Sequence, residues 1–243
     1  MTALLEVEGL SKRFGGVMAV DGCSFSVEEG TITALIGPNG SGKTTAFNII
    51  TGYLKPDSGA VGFSGHRVKK PSPARLYRQG LSRTFQQARI FPEMSVVENL
   101  VIAAGYSWRD LFGARLTRIE RSHANEMLEE FRLSGLAELP AAELSYGQRK
   151  LLEFAAVLMS RPKLVLLDEP TAGVNPVMIE TMERHVRARH KEGVTFLIVE
   201  HDMQLVMRLC DPVIVLDRGA TIAVGAPADV QVNPVVLDAY LGD

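Results

Sequence analysis

The chain has 243 residues, of which 46% are hydrophobic and 22% are charged, and its formal net charge is −2. This is the balance of an ordinary globular protein, and nothing in it indicates a chain built to bind nucleic acid or an anionic membrane. The chain has only two cysteines, Cys23 and Cys210, and two isolated cysteines support neither a disulfide framework nor a zinc site, so a reducing compartment is expected.

The amino-terminal stretch MTALLEVEGLSKRF has no basic start followed by a long apolar run, so no signal peptide is expected. No apolar run in the sequence approaches the roughly 18 to 20 residues needed to cross a bilayer. We therefore expect a cytoplasmic protein that is soluble when isolated. If it works at a membrane, another chain must do the spanning.

Four apolar stretches predict buried strands, because each is a nearly continuous run of hydrophobic residues. They span residues 31–37, 163–170, 194–201 and 211–219. Helical patterns lie between them, most clearly at 43–53 and 176–191. Apolar strands that alternate with helices indicate an α/β fold with a parallel sheet covered on both faces.

The middle of the chain has a different character. From about residue 94 to 160 the strand pattern fades, and charged helical stretches such as TRIERSHANEMLEEFRLSG replace it. We interpret this segment as a helical subdomain inserted into the α/β core. The prediction is one domain, residues 1–243, with its core at about 1–93 and 161–243 and the helical subdomain at about 94–160.

The basic stretch from residue 67 to 83 is interpreted as a solvated surface rather than a binding patch, because charge runs are weak indicators of a partner. No nucleic-acid partner is expected.

The segment GPNGSGKTT lies between a predicted strand and a predicted helix, and it matches the phosphate-loop pattern G-x-x-x-x-G-K-[ST]. Its glycines let successive backbone N–H groups face one anion, and the helix dipole adds a favourable field. Lys43 adds a cation for the terminal phosphates, and Thr44 supplies a hydroxyl for Mg²⁺. The predicted phosphate site consists of Gly37, Pro38, Asn39, Gly40, Ser41, Gly42, Lys43, Thr44 and Thr45.

In LVLLDEP, four apolar residues place Asp168 and Glu169 at the end of a strand, where ligands of parallel α/β sheets collect. Asp168 is suited to hold Mg²⁺ through its water shell, because magnesium keeps waters and takes few carboxylates. Glu169 is then placed to orient and deprotonate an attacking water. Such an acidic pair is otherwise a helix cap or a surface turn, and the phosphate loop in the same chain favours the catalytic interpretation.

Two further polar residues are candidates for the same site. His201 follows the next apolar strand, where it would sense the γ-phosphate and hold Glu169 and the water in place; the alternative is a structural histidine. Gln86, in SRTFQQARIF, is an uncharged group that would reach the metal or the water and then withdraw. Its neighbour Gln87 leaves the choice between the two glutamines open.

The stretch ELSYGQRKLLEFAAVLMS predicts a helix with an unusual amino end. Ser145 and Gln148 form a capping box, and apolar residues recur behind them at helical spacing. Tyr146 and Gly147 occupy the first turn, although glycine costs about 1 kcal/mol in a helix interior. Either the cap is slightly weak, or the amino end points at something other than protein.

Six features together resemble the motifs of an ABC-transporter ATP-binding subunit, and the resemblance covers essentially the whole chain. GPNGSGKTT, Gln86, LSYGQ, LVLLDEP, AGVNP and His201 follow the order of its Walker A, Q-loop, signature, Walker B, D-loop and H-loop. The resemblance implies a P-loop NTPase fold of the ABC ATPase type. That fold has a RecA-like parallel sheet core, an N-terminal antiparallel β part and an inserted α-helical subdomain.

The resemblance also implies that two ATP molecules are clamped in a head-to-tail dimer. Ser145, Tyr146, Gly147 and Gln148 of one subunit would face the γ-phosphate of the ATP that the other subunit holds, so charge stabilisation arrives in trans. The second position of the signature is usually glycine, but in this chain it is Tyr146. The group of transport ATPases described next shares this substitution. Phe14, in SKRFGG, matches the aromatic residue that stacks on adenine, and a core position is its alternative interpretation.

Longer stretches are similar to the LivG-type ATPase of branched-chain amino acid importers, among them SKRFGGVMAVDG, IVEHDMQLVM and the ending DAYLGD. This similarity implies two membrane permease subunits, an extracytoplasmic substrate-binding protein and a second ATPase subunit, which is a related chain or this chain itself. It places the protein peripherally at the cytoplasmic face of the plasma membrane. Urea and short-chain amides remain open as cargo.

A docking groove for a short permease helix is a further expectation from the resemblance. The segment QQARIFPEMSVVENL mixes Ile90, Phe91, Met94, Val96 and Val97 with few charges, as a helix-in-groove contact requires.

Two other functions remain as alternatives. A non-transport ABC ATPase of DNA repair or ribosomes usually carries tandem cassettes, coiled-coil arms or zinc modules, and none is visible in the sequence. A P-loop kinase of small metabolites would leave LSYGQ and AGVNP without a role.

Overall fold

The structure is a computed structural model, and it describes residues 2–68, 71–85, 89–104 and 118–241, with the backbone alone at 118–120. Its contacts divide the chain into two compact units. The first unit comprises Met1–Arg83, Lys163–Glu169 and Glu183–Asp243, and the second comprises Thr84–Pro162 and Pro170–Met182. The subdomain bounds of about 94–160 stay a prediction from sequence.

A six-stranded sheet forms the centre of the first unit. In chain order its strands are β3 (Ile32–Ile36), β6 (Leu81–Arg83), β7 (Leu164–Asp168), β8 (Thr195–Val199), β9 (Val213–Asp217) and β10 (Ala220–Gly225). The spatial order is β10-β9-β3-β8-β7-β6, and every neighbouring pair is parallel except the antiparallel pair β10 and β9. All residues of β3, β7 and β8 are buried, which explains their continuous apolar runs.

A second, antiparallel sheet lies in the same unit, in the order β2-β1-β4-β5. Its strands are β1 (Ala3–Phe14), β2 (Val17–Glu28), β4 (Ser58–Phe63) and β5 (His66–Arg67). Val7 of β1 pairs with Phe25 on one side and with Val61 on the other. Alternate residues of β1 and β2 are buried near their paired ends, as in a sheet with one face on the core.

Five helices of the described residues lie wholly in the first unit. They are α1 (Lys43–Ile50), α2 (Pro73–Gln79), α7 (Met203–Leu209), α8 (Pro227–Gln231) and α9 (Pro234–Leu241), and the helices numbered between α2 and α7 are described with the second unit. Helix α1 was predicted over residues 43–53 but ends at Ile50, because Gly52 has a φ of +76° that no helix residue adopts.

The second unit is helical over its described residues. It contains α3 (Val96–Ala103), α4 (Arg118–Glu130), α5 (Tyr146–Met159) and short 3₁₀ turns at Ser134–Leu136 and Ala141–Glu143, and α6 (Pro176–Lys191) begins in it. The rings of Phe131 and Phe154 meet edge to face in its core, 5.8 Å apart. Helix α5 buries the apolar face predicted from its periodicity: Leu151, Leu152, Ala155, Leu158 and Met159.

The predicted fold class is confirmed, because parallel strands alternate with helices, and an antiparallel N-terminal sheet and a helical region accompany them. Within the described part of the chain, no helix has the length and apolar character required to cross a membrane.

Candidate functional site

Three neighbouring strands of the first unit end at the same edge of the parallel sheet. β3 leads into the phosphate loop, β8 leads to His201, and β7 ends at Asp168 and is followed by Glu169. Since the carboxyl ends of parallel strands collect ligands, the topology gathers these predicted site residues at one edge.

The phosphate loop needs glycine at two positions for steric reasons. Gly37 has a φ of +152°, and a Cβ built there would lie 2.0 Å from the carbonyl oxygen of Leu216. Gly42 has a φ of +99°, and its added Cβ would lie 2.4 Å from the carbonyl oxygen of Ala19. Both glycines therefore allow the loop to pack against neighbouring backbone that a side chain would clash with.

Lys43 begins α1 and lies over the loop, with only 6% of its surface exposed. Its Nζ donates to the carbonyl oxygens of Gly37 and Pro38, at 2.7 and 2.8 Å, and lies 3.3 Å from Ser41 Oγ. Burial lowers the pKa of the Lys43 ammonium, and the negative charge of Glu169 opposes that shift. The charge of Glu169 thus acts on the phosphate-loop lysine.

The other loop residues differ in exposure. Ser41 is buried, and its carbonyl oxygen accepts a hydrogen bond from the backbone of Gly219 at 3.0 Å. Asn39 and Thr44 are exposed, whereas Thr45 is half-buried. The hydroxyl of Thr44 is therefore open to solvent in the first turn of α1.

Glu169 and His201 lie in direct contact. The Nε2 atom of His201 is 3.0 Å from Glu169 Oε1, so the tautomer with a proton on Nε2 donates to the carboxylate. Glu169 has a φ of +47°, a left-handed conformation that is costly for a residue with a side chain. Its backbone N–H donates to the carbonyl oxygen of Val199 at 3.0 Å, which fixes this turn to the end of β8.

The turn that carries His201 is fixed by two carboxylates. Glu200 is buried, and its Oε2 accepts from the backbone N–H of His201 at 3.0 Å. Asp202 caps α7, since its side chain accepts from the backbone N–H groups of Gln204 and Leu205. His201 itself is not structural in the sense of a core residue, because 46% of its side chain is exposed.

Asp168 is held by an arginine that sequence reasoning missed. Arg83 Nη2 lies 2.6 Å from Asp168 Oδ2, and each side chain is only 5% exposed. Arg83 Nη1 donates to Asn48 Oδ1 and Thr51 Oγ1 at 2.8 and 3.0 Å, which links the β7 carboxylate to α1. The prediction of a solvated basic surface over 67–83 is wrong at its last residue, because the buried carboxylate requires a paired cation.

The oxygen donors of Thr44 and Asp168 fit the preference of Mg²⁺ for hard ligands. In the described ranges there is no group of three or more His, Cys, Asp or Glu side chains able to hold a metal by themselves. A magnesium ion that arrives with a nucleotide needs few protein ligands, so this donor set is compatible with it.

The predicted signature residues lie in the second unit, at the amino end of α5. The capping box is present: Ser145 Oγ accepts from the Gln148 N–H at 3.4 Å, and Gln148 Oε1 accepts from the Ser145 N–H at 2.9 Å. The Tyr146 hydroxyl donates to the carbonyl oxygen of Ala172 at 3.2 Å. Tyr146 therefore ties the helix tip to the AGVNP segment, a role that its spacing in the sequence did not indicate.

Two of the remaining predicted residues differ in outcome. Phe14 ends β1 with 50% of its surface exposed, so it is not a core residue, and Lys12 Nζ lies 5.7 Å from its ring centroid. Gln86 and its neighbour Gln87 lie outside the described residues.

The carboxyl-terminal helix α9 also reaches the phosphate loop. Burial raises the pKa of Tyr240, and a hydrogen bond with the backbone of Gly37 opposes the shift. The ending DAYLGD thus contributes a contact to the site, although the sequence had offered it only as a likeness to transport ATPases. Both cysteines are buried free thiols, and burial raises the pKa of Cys210 to about 12, so neither is a nucleophile here.

Comparison with known proteins shows the family to which the chain belongs. Residues 20–172 match the family model described as "ABC transporter", and residues 220–243 match the one described as "Branched-chain amino acid ATP-binding cassette transporter". The chain is 41% identical to the high-affinity branched-chain amino acid transport ATP-binding protein BraF of Pseudomonas aeruginosa, over 99% of this chain and 98% of that protein. It is 37% identical to the protein of similar description, LivG, of Escherichia coli K12, with the same coverage.

Solved structures that resemble this chain are also ATP-binding cassettes of ABC transporters. A nucleotide-free ATP-binding cassette from an ABC transporter matches over 100% of both chains, with a TM-score of 0.87 and 38% identity. A structure of the ADP conformation of an ATP-binding cassette of an ABC transporter matches over 100% of both chains, with a TM-score of 0.85 and 39% identity. The chain therefore belongs to the ABC transporter family as an ATP-binding subunit.

Proposed function

We propose that the chain hydrolyses ATP at the edge of the parallel sheet, with Glu169 as general base and His201 as its positioning partner. The observation that carries this assignment is the 3.0 Å contact between His201 Nε2 and Glu169 Oε1 at the strand ends that also carry the phosphate loop. Glu169 takes a proton from the attacking water as the oxygen bonds to the γ-phosphorus, and ADP leaves. Lys43 and the loop N–H groups bind the phosphates.

Mg²⁺, held through Thr44 and Asp168 with Gln86 as a further contact, would neutralise charge on the phosphates. Arg83 keeps Asp168 in place by binding one carboxylate oxygen, Oδ2. The ion pair therefore supports a role of Asp168 as a fixed acceptor toward the metal's water shell.

The second half of each site is proposed to come from another cassette. Ser145 and the N–H groups of the first turn of α5 would bind the γ-phosphate of the ATP held by the partner, because a helix amino end is an anion site. Gly147 supports this proposal, because a residue without a Cβ lets a ligand approach the backbone closely. Its neighbour Tyr146 is 46% exposed, so this turn of the helix lies at the surface. The partner is a related ATPase or a second copy of this chain.

We propose branched-chain and other hydrophobic amino acids as the cargo, imported through two permease subunits and delivered by an extracytoplasmic binding protein. The support is the family model matched by residues 220–243, together with relatives named for this transport along their full length. The protein would lie at the cytoplasmic face of the membrane. Uptake of labelled leucine and urea in a deletion strain tests the cargo: leucine uptake is lost and urea uptake is kept. The reverse result would assign the chain to urea import.

Replacement of Phe14 tests the proposed adenine contact. Stacking of a base on an aromatic ring contributes about 1–3 kcal/mol, so Phe14→Ala is expected to weaken ATP binding by about tenfold. Phe14→Trp keeps a ring and is expected to retain affinity. Titration with a fluorescent ATP analogue measures both, and equal affinity of the Ala variant and the wild type would remove Phe14 from the site.

Two of the five apolar residues predicted to line a permease groove are not at the surface. Val96 and Val97 are 0% and 1% exposed, so they belong to the core of the second unit and are not available to a partner. Phe91 is 42% exposed, and Ile90 and Met94 are half-buried, so the apolar surface that remains centres on Phe91. We propose this surface as the permease contact.

Phe91→Asp is expected to abolish co-purification with the permease subunits, because a buried, unpaired carboxylate is costly in an apolar contact. Because the Phe91 side chain is 42% exposed in the isolated chain, the fold should tolerate the aspartate. ATP binding by the isolated chain should therefore remain. Val177→Asp, at a side chain that is 74% exposed on α6, serves as the control. Intact assembly and transport in the Phe91 variant would place the groove elsewhere.

A further inference from the structure

Helix α5 contains two buried charges that the proposed chemistry does not use. Glu153 and Lys150 lie one turn apart on this helix, and they are 4% and 2% exposed. Charges at this depth are costly unless they are paired and hydrogen-bonded. The question is which groups they bind.

Their partners are backbone atoms on either side of Gln86. Glu153 Oε1 accepts from the Phe85 N–H at 3.0 Å and from the Arg89 N–H at 3.2 Å. Lys150 Nζ lies 3.3 Å from the carbonyl oxygen of Phe85 and donates to it. One carboxylate oxygen thus joins two amides four residues apart, and both backbone polar atoms of Phe85 are bound to α5.

The side chains of the two flanking residues add a further contact. The guanidinium carbon of Arg89 lies 3.6 Å from the ring centroid of Phe85. Burial raises the pKa of Glu153, whereas the two backbone hydrogen bonds and the charges of Lys150 and Arg89 lower it. Apolar side chains in the same place would avoid this desolvation, but they would also release the backbone of Phe85 and Arg89 from α5.

We propose that Glu153 is a positioning residue for ATP hydrolysis, which fixes the backbone on both sides of Gln86 to the signature helix. This inference rests on the proposed function, because Gln86 matters to ATP only if the chain hydrolyses it. Ser145 lies at the amino end of the same helix, eight residues or about 12 Å from Glu153. When the amino end of α5 binds a partner's nucleotide, any movement of the helix therefore also moves Phe85 and Arg89, which flank Gln86.

Three variants test the proposal in the full chain assembled with its membrane partners. Glu153→Ala removes the acceptor, and Glu153→Gln keeps an acceptor oxygen at the same place. Because the Ala variant leaves Lys150 buried without its carboxylate, a third variant, Glu153→Met with Lys150→Met, removes both charges and keeps the volume. Glu129→Ala, at an exposed position on α4, is the control.

In the Ala and the double variant we expect kcat to fall by about tenfold or more, while KM for ATP changes by less than about twofold, since the phosphate loop is untouched. Hydrogen exchange at the amides of Phe85 and Arg89 should accelerate by at least about tenfold. Glu153→Gln should restore most of both properties. A purely structural role would move stability without this division between kcat and KM.

Wild-type kcat and unchanged exchange in the double variant would overturn the proposal. If the Ala variant fails to fold, the double variant still decides the question. Absence of ATP hydrolysis in the wild-type complex is a different result, because it would contradict the proposed function. The exchange measurement reports on the anchoring of the Phe85 and Arg89 amides even then.

Discussion

Glu169→Gln is expected to lower the rate of ATP hydrolysis by about 100-fold or more and to leave ATP binding intact. A general base contributes about 10² to 10⁴ in rate, and the amide keeps the size of the carboxylate but cannot accept the water's proton. The contact with His201 survives, because the amide oxygen still accepts from Nε2. The variant should therefore accumulate as an ATP-bound dimer with very slow turnover.

Two measurements check this expectation: phosphate release at saturating ATP and the molecular mass in the presence of ATP. Glu29→Gln is the matched control, because Glu29 is exposed in the turn after β2. It should behave as the wild type. Undiminished hydrolysis in Glu169→Gln would remove that residue from the catalytic role and would leave the left-handed backbone at this position unexplained.

Gly147→Leu is the second change with a large expected effect. A phosphate that approaches the first turn of α5 closely is blocked by a side chain at this position. Loss of a charge-stabilising donor typically lowers kcat by about 10² to 10³, so we expect hydrolysis to fall by at least about 100-fold. The variant's own phosphate loop is unchanged, and its affinity for ATP should remain within about twofold.

The fold should tolerate this substitution. The nearest atom to an added Cβ at Gly147 is the terminal methyl of Met178, at 3.2 Å, and a flexible side chain can move. Gly135→Leu is the control, because an added Cβ there meets no atom within 4 Å. For the cap itself, Ser145→Ala can be compared with Ser95→Ala, since Ser95 forms the same kind of capping box on α3. Equal hydrolysis by the two capping variants would contradict a special role for Ser145.

Much of the fold was predictable from sequence because its signals are local. Continuous apolar runs predicted β3, β7, β8 and β9 within one or two residues, and periodicity predicted α6 at its observed bounds. The phosphate loop was predictable for the same reason, since its glycines and lysine are adjacent in the chain. The end of α1 was placed too late, because the sequence pattern does not report the backbone angle of Gly52.

The residues that were missed depend on contacts between distant parts of the chain. Arg83 and Asp168 are 85 positions apart, and Glu153 lies 68 positions from Phe85. Their pairing follows from the strand order and from helix packing, and neither leaves a mark in local composition. Val96 was misplaced on a surface for a related reason: an apolar residue in a mixed segment looks the same whether it faces a partner or the core.

The central claim is that each ATP is hydrolysed between two cassettes. The most direct test is the rate of hydrolysis per chain for the isolated monomer, with its mass verified by light scattering, compared with the rate in the assembled complex. We predict that the monomer is at least about 100-fold slower, because it lacks the hydrogen-bond donors that the amino end of α5 in the partner cassette would supply. A monomer that hydrolyses ATP at the full rate of the complex would contradict the account.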